Sequence, residues 1–222
     1  MSAEESAKFE QWMKIFTAEK YWEGCNGLAI TEEIKATIAA QAGILVLGLD
    51  EFYYEHLQTI LVYPEIVWRP DPVPKGGVVS EEPTGRLGEA WRGGPVTLVW
   101  PHVLEGGRRL SPGRNVVFHE FAHVLDLEDQ FFDGTPPLDS AELYQQWEAC
   151  LTSEYQAVVQ AAGQGGFSVI DTYGATNLAE FFAVSTECFF ENPQQLAQHH
   201  AEWFELLKRF YRLNPLDWYS TD

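Results

Sequence analysis

One apolar segment limits what this chain can become. From Ser111 to Asp126 it reads SPGRNVVFHEFAHVLD, three polar side chains set into a run that is otherwise hydrophobic on nearly every side. Ser111 suits an N-cap and Pro112 the first helical position, where its missing N–H costs nothing, so a helix is predicted to start there. Val116, Val117, Phe118, Phe121, Ala122, Val124 and Leu125 leave it no polar face, as in a helix buried in the core. His119, Glu120 and His123 are the exceptions. Four residues of helix turn through about 400° and rise roughly 6 Å, so the two imidazoles stack on one face and reach a single ion. This is the H-E-x-x-H pattern of zinc sites. Its glutamate, Glu120, points off the histidine face, where it can act as general base towards an activated water without ligating the metal. The plainer reading, a chance pair of core histidines, leaves a carboxylate unpaired in an apolar helix at a cost of several kcal/mol.

The 222 residues suffice for one domain with a real hydrophobic interior, expected to run from 1 to 222. With 33 acidic against 14 basic residues, the formal charge of −19 argues against a nucleic-acid backbone or an anionic membrane as partner, because both would be repelled. Cys25, Cys150 and Cys188 are odd in number and lack C-x-x-C spacing, which points to reduced thiols and not to disulfides or a thiolate zinc site. No basic-then-apolar leader opens the chain and no apolar run reaches membrane-spanning length, so a soluble cytoplasmic protein is expected.

Along the chain, Phe9, Trp12, Met13 and Phe16 recur at helical spacing between Ala3 and about Tyr21. Thr31 caps a second helix with Glu32 and Glu33 in its first turn, ending near Gly48. Thr59–Tyr63 and Pro95–Trp100 are predicted strands, with Ile66–Trp68 a further short one. RPDPVPKGG is a loop, and Val78 to Trp91 is an irregular arm placed to lie along a cleft. After the metal helix, Leu127 to Asp139 is a loop positioned to form one wall of that cleft. Helices then follow from Ser140 to about Gln160, from Asn177 to Glu191 with Pro193 closing it, and from Leu196 to Leu213.

A catalytic zinc takes three protein ligands and keeps one open position. The third should come from a separate element packed on the metal helix. Glu180 stands in the first turn of a helix too apolar to leave a carboxylate unpaired, and Glu187, two turns on, shares its face as a competing ligand or as a partner to a ligating imidazole. His102 and Glu105 follow a strand without supporting spacing, and the adjacent His199 and His200 cannot both face inward, so they are assigned to solvent. Asp126, three residues after His123 and seven after His119, is expected to accept the spare N–H of a ligand imidazole, against the alternative that it begins an Asx turn.

HEFAHVLD and DTYGATNLAEFFAVSTECFFENP, with the upstream blocks EGCNGLAITEEIKATIAAQAGILVLGL and ILVYPEIV, resemble the Mlc titration factor A family of zinc-dependent peptidases from about Trp22 to Trp218. That family is related to gluzincins such as the catalytic domain of anthrax lethal factor. The resemblance implies an α+β fold: a mostly helical zincin-like domain with a small mixed β-sheet and the H-E-x-x-H helix at its core. It also implies Zn²⁺ on His119, His123 and Glu180, with Glu120 as general base. Some members carry, before the second strand, a histidine that can occupy the zinc at rest; Ser80 aligns there, which leaves self-inhibition of this chain an open question. Tyr173, in the irregular DTYGAT segment ahead of the Glu180 helix, is assigned as hydrogen-bond donor to the oxyanion, against a role as a core tyrosine. The implied substrate is a peptide or protein, with the choice between aminopeptidase and endopeptidase left open. A different class of function is also implied, sequestration of a transcriptional repressor by a protein whose zinc site is not catalytic.

Overall fold

In a computed structural model the protein is described over residues 3–49, 52, 54–65, 94–108 and 113–218. The sheet has three strands in the order β1 (Tyr21–Gly24), β2 (Thr59–Tyr63), β3 (Val96–Val99). Tyr21 pairs with Thr59 through to Gly24 with Val62, and Ile60 pairs with Val96 through to Tyr63 with Val99. The expectation was a mixed sheet; both ladders among the described residues are parallel. Parallel neighbours need a crossover. Between β1 and β2 it is α2 (Glu32–Val46), whose N-cap Thr31 accepts from Ile34 N–H as its sequence position predicted. Strand β2 is central and alternates, with Ile60 and Val62 fully buried.

Strand β1 was not foreseen, because α1 (Ala3–Glu19) reads as running straight into it. Gly24 ends that strand where the chain folds back on itself, and a side chain there would collide with the carbonyl of Leu28. Nor was α3 (Trp100–Gly107) foreseen: it starts where β3 stops, with Pro101 in its first turn. His102 and Glu105, which follow the strand in sequence, belong to this helix.

The metal-motif helix, α4, spans Val116–Asp126. Its N-cap is Asn115, whose Oδ1 accepts from Val117 N–H at 3.0 Å and Phe118 N–H at 3.1 Å, so the start predicted at Ser111 lies four residues too early. Ser111 and Pro112 themselves fall outside the described residues, as do Ile66–Trp68, Ser80 and the Val78–Trp91 arm. A single 3-10 turn, Leu127–Asp129, follows α4. Next comes α5 (Ala141–Gln164), capped by Ser140 and stopped by Gly165 in the left-handed region at φ 63°.

α6 (Leu178–Glu191) is buried along nearly its whole length and lies directly against α4. Each of its phenylalanines removes enough apolar surface from water to contribute roughly 1.5–3 kcal/mol. Phe181 and Phe182 pack towards Trp147 and Trp203, and Phe189 and Phe190 towards Tyr211. Pro193 does not merely close α6. It opens α7 (Pro193–His199), and the final predicted helix breaks at His200 before α8 (Ala201–Tyr211).

Candidate metal centre

Where α4 crosses α6, three ligand-type atoms converge. His119 Nε2 lies 3.0 Å from Glu180 Oε2, His123 Nε2 lies 3.4 Å from the same oxygen, and the two Nε2 atoms are 3.2 Å apart. All three residues are buried. Glu180 owes its place to Asn177, which caps α6 by accepting from the Glu180 N–H at 2.9 Å and so sets the carboxylate in the first turn facing α4. Both Glu180 carboxylate oxygens lack a hydrogen bond among the described residues, although the imidazoles are close. Lone pairs meet where a donor should stand.

That donor set fits a zinc ion. Four-coordinate zinc with ligand distances of about 2.0–2.2 Å separates its ligand atoms by about 3.3 Å, close to all three observed edges. Charge agrees with geometry. Burial raises the Glu180 carboxyl, but the His119 and His123 rings against it more than compensate and bring it down to about 2. Burial also pulls His119 down, yet Glu180 and Glu187 on its two ring nitrogens hold it well above the ordinary imidazole value. His123, buried without a second carboxylate, is held below that value. The site therefore concentrates negative potential where a cation would sit.

Glu187 stands behind His119. Its Oε1 is 2.8 Å from His119 Nδ1 and its Oε2 accepts from the Asn115 N–H at 2.5 Å, an arrangement that leaves His119 Nε2 free to face Glu180. Asp126 does not take the matching place behind His123. It is fully buried, and its Oδ2 accepts from Gly134 N–H at 3.0 Å, while His123 Nδ1 has no hydrogen-bond partner among the described residues. The correction follows from direction, because Asp126 ends α4 and turns towards the loop that continues the chain. Gly134, at φ 78°, lies so close to the Leu178 carbonyl that a side chain would clash, and its own carbonyl accepts from Trp147 Nε1 at 3.0 Å. Asp126 thus pins the loop against the start of the Glu180 helix.

Glu120 is half-buried on α4 between the two histidines. Tyr173 sits in a 3-10 turn, Thr172–Ala175, that lies tight on α6 because Gly174 has no side chain to strike Val184 and Phe181. Its ring centroid is 6.0 Å from that of His119. His102 and Glu105 take no part in the cluster. His199 is exposed beside Phe167, but His200 is not simply solvent-facing: its Nδ1 is 2.6 Å from Glu154 Oε2. Sequence reading missed two residues here. Phe132, from the loop after α4, lays its ring 4.9 Å from that of His123, a contact with no periodic signature. Asn115 was legible as a capping residue just before an apolar run, but Ser111-Pro112 carried the stronger local signal.

Residues 1–212 match the sequence profile of the glucose-regulated metallo-peptidase M90 family. The chain belongs to that family. An uncharacterized protein of Synechocystis sp. is 42% identical over 218 residues, covering 97% of this chain and 79% of that one. Mlc titration factor A of Serratia proteamaculans is 33% identical over 86% of this chain and 73% of its own length. The protein of the same name in Klebsiella pneumoniae subsp. pneumoniae is 30% identical over 97% and 82%. Membership places the chain among metallopeptidases and gives the His119, His123 and Glu180 cluster a chemical context. No described helix is long and apolar enough to cross a membrane.

Proposed function

We propose that residues 1–222 form one zinc peptidase domain of gluzincin type that hydrolyses peptide bonds, with His119, His123 and Glu180 as metal ligands. The observation that carries this reading is the convergence of three buried ligand atoms at 3.0, 3.2 and 3.4 Å. Zinc bound there supplies Lewis acidity, polarising a carbonyl and acidifying water. The residues do the rest. Glu120, on the same helix but off the ligand face, takes the proton from the attacking water and passes it to the leaving amine. The Tyr173 hydroxyl donates to the oxyanion as it forms. Glu187 keeps a proton on His119 Nδ1, so that Nε2 presents its lone pair. The Phe132 ring packs against His123.

The substrate is a peptide or protein. Metal analysis of chelator-free protein together with cleavage of a peptide library tests the reading and separates aminopeptidase from endopeptidase. About one zinc per chain and cleavage lost in Glu120→Gln are expected; full activity in that variant defeats the mechanism. A second reading draws on the relatives named Mlc titration factor A, whose name describes titration of another protein, and on a net charge of −19 suited to a basic partner. In that reading the chain captures a transcriptional repressor, and Glu120→Ala leaves the effect on the repressor intact.

A further inference from the structure

We infer that the substrate cleft has one apolar and one polar wall, and that the Phe132 ring selects peptides carrying an apolar side chain on one side only of the cleaved bond. The inference rests on the metallopeptidase reading of the same site and adds its substrate class. A half-buried ring meets each imidazole of the motif. Phe132 lies 4.9 Å from His123 and Tyr173 6.0 Å from His119, centroid to centroid, while the two imidazoles are 4.8 Å apart. A metal on the three buried ligand atoms keeps an open position for substrate, so a carbonyl that reaches it brings its flanking side chains among these rings.

The two sides differ in chemistry. Beyond His123 the surface is hydrocarbon: Phe132, and Leu178, half-buried at the start of α6, whose Cβ would stand 3.4 Å from a side chain built on Gly134. Beyond His119 it is polar. Asp171 accepts from the Tyr173 N–H at 2.9 Å through Oδ1, and its Oδ2 accepts from Arg114 Nε at 3.0 Å and Nη2 at 2.8 Å. Phe132 is also held before substrate arrives. On one side of it the Phe131 N–H donates to Asp129 Oδ1 at 3.0 Å, and on the other Gly134 is fixed through its N–H by Asp126 and through its carbonyl by Trp147. A wall held in advance loses little freedom on binding, so its contact is expressed as selectivity. The ring itself is what acts, since the backbone at this position offers no apolar surface. A ring needed only to cover His123 would gain most from full burial, whereas Phe132 keeps part of its area open.

The test uses the whole chain, unaltered and as Phe132→Ala and Phe132→Leu. Once a cleaved bond is mapped in a peptide library, that peptide is remade with leucine or asparagine, which are close in size, at the residue before the bond or at the residue after it. The ratio of kcat/KM for leucine over asparagine is expected to be roughly tenfold or more at one of the two positions and near unity at the other. Phe132→Ala should bring the large ratio close to unity, and Phe132→Leu should retain it. Because a ratio of two substrates on one enzyme does not depend on how much of it is folded, a loss of stability alone leaves it unmoved. A second measurement needs neither turnover nor metal. In metal-free protein with labelled phenylalanine rings, the methyls of a leucine peptide should show a nuclear Overhauser effect to one ring and lose it in Phe132→Leu. That contact decides the matter if Phe132→Ala does not fold. Leucine favoured at both positions or at neither, a ratio that survives Phe132→Ala, or the absence of the contact overturns the inference. If the unaltered protein supplied with zinc cleaves no library peptide while the contact is present, the peptidase reading fails and the apolar wall stands as a peptide-binding surface.

Discussion

The two halves of α4 hold equivalent imidazoles by different means. In the N-terminal half His119 is tied by hydrogen bonds, Nδ1 to Glu187 and through it to Asn115, and the two carboxylates around it keep its affinity for protons high. In the C-terminal half His123 has no partner for Nδ1 among the described residues; the Phe132 ring packs on it, and burial keeps its proton affinity low. Asp126, the carboxylate that spacing offered to His123, is used to pin the loop at Gly134. One imidazole is therefore fixed by charge and direction, the other by packing. The physical lesson is that hydrogen bonds specify a tautomer and a plane, whereas apolar contact specifies only a position, so the two imidazoles should answer differently to mutation.

The largest effect should come from the residue between the halves. On the proposed mechanism Glu120→Gln spares the three metal-site side chains and removes the base, so zinc content should persist while peptide cleavage falls by about 10²–10⁴. A comparable loss of zinc would mean that Glu120 belongs to the metal site and would erase the division of labour. Next is Tyr173→Phe, since the ring lies on the His119 side. If its hydroxyl steadies the oxyanion, kcat should drop by about 10²–10³ with KM and zinc content little changed. A loss of thermal stability with kcat intact would return Tyr173 to the core.

The comparison itself is tested most directly by paired changes at the two imidazoles. Glu187→Gln should weaken zinc binding about 10–100-fold, while Phe132→Ala should weaken it less and act mainly on stability; chelator competition on both ranks them. Equal losses would show that packing orients as strictly as hydrogen bonding. Glu180→Gln, which touches both rings, should exceed either.

The smallest expected effect concerns Asp126. Burial raises its carboxyl to about 7, with the Gly134 N–H pulling the other way. A carboxyl whose folded value stands above its unfolded one favours the protonated native state, so its contribution is fully present only below the unfolded value of about 4 and is lost as pH rises from there through about 7. The Tm of the protein should therefore fall by a few degrees more between pH 5 and pH 8 than that of Asp126→Asn, measured by calorimetry in parallel. Identical slopes would remove Asp126 from the account of the loop.

What sequence alone settled is local. His119 and His123 four residues apart must share a helical face, and Glu180 and Glu187, seven apart, must share another, because helical geometry repeats whatever surrounds it. Thr31, Ser140 and Asn177 were likewise legible as caps, since a cap is made by a side chain reaching two or three residues along its own chain. Pattern failed where the deciding contact lay elsewhere in the sequence. β1 is too short to declare itself and exists because β2 offers it a ladder. The break at His200 coincides with its contact to Glu154 on α5, and α4 starts at Asn115, whose polar groups meet partners on α6. The division between Glu187 and Asp126 was decided in the same way. Both carboxylates were candidates to partner a histidine of the motif, but only the crossing of α6 over α4 brought Glu187 to an imidazole nitrogen, while the exit of the chain into its loop carried Asp126 to Gly134. Spacing along a helix determines which side chains share a face; what stands opposite that face depends on long-range packing, and that only the tertiary structure decided.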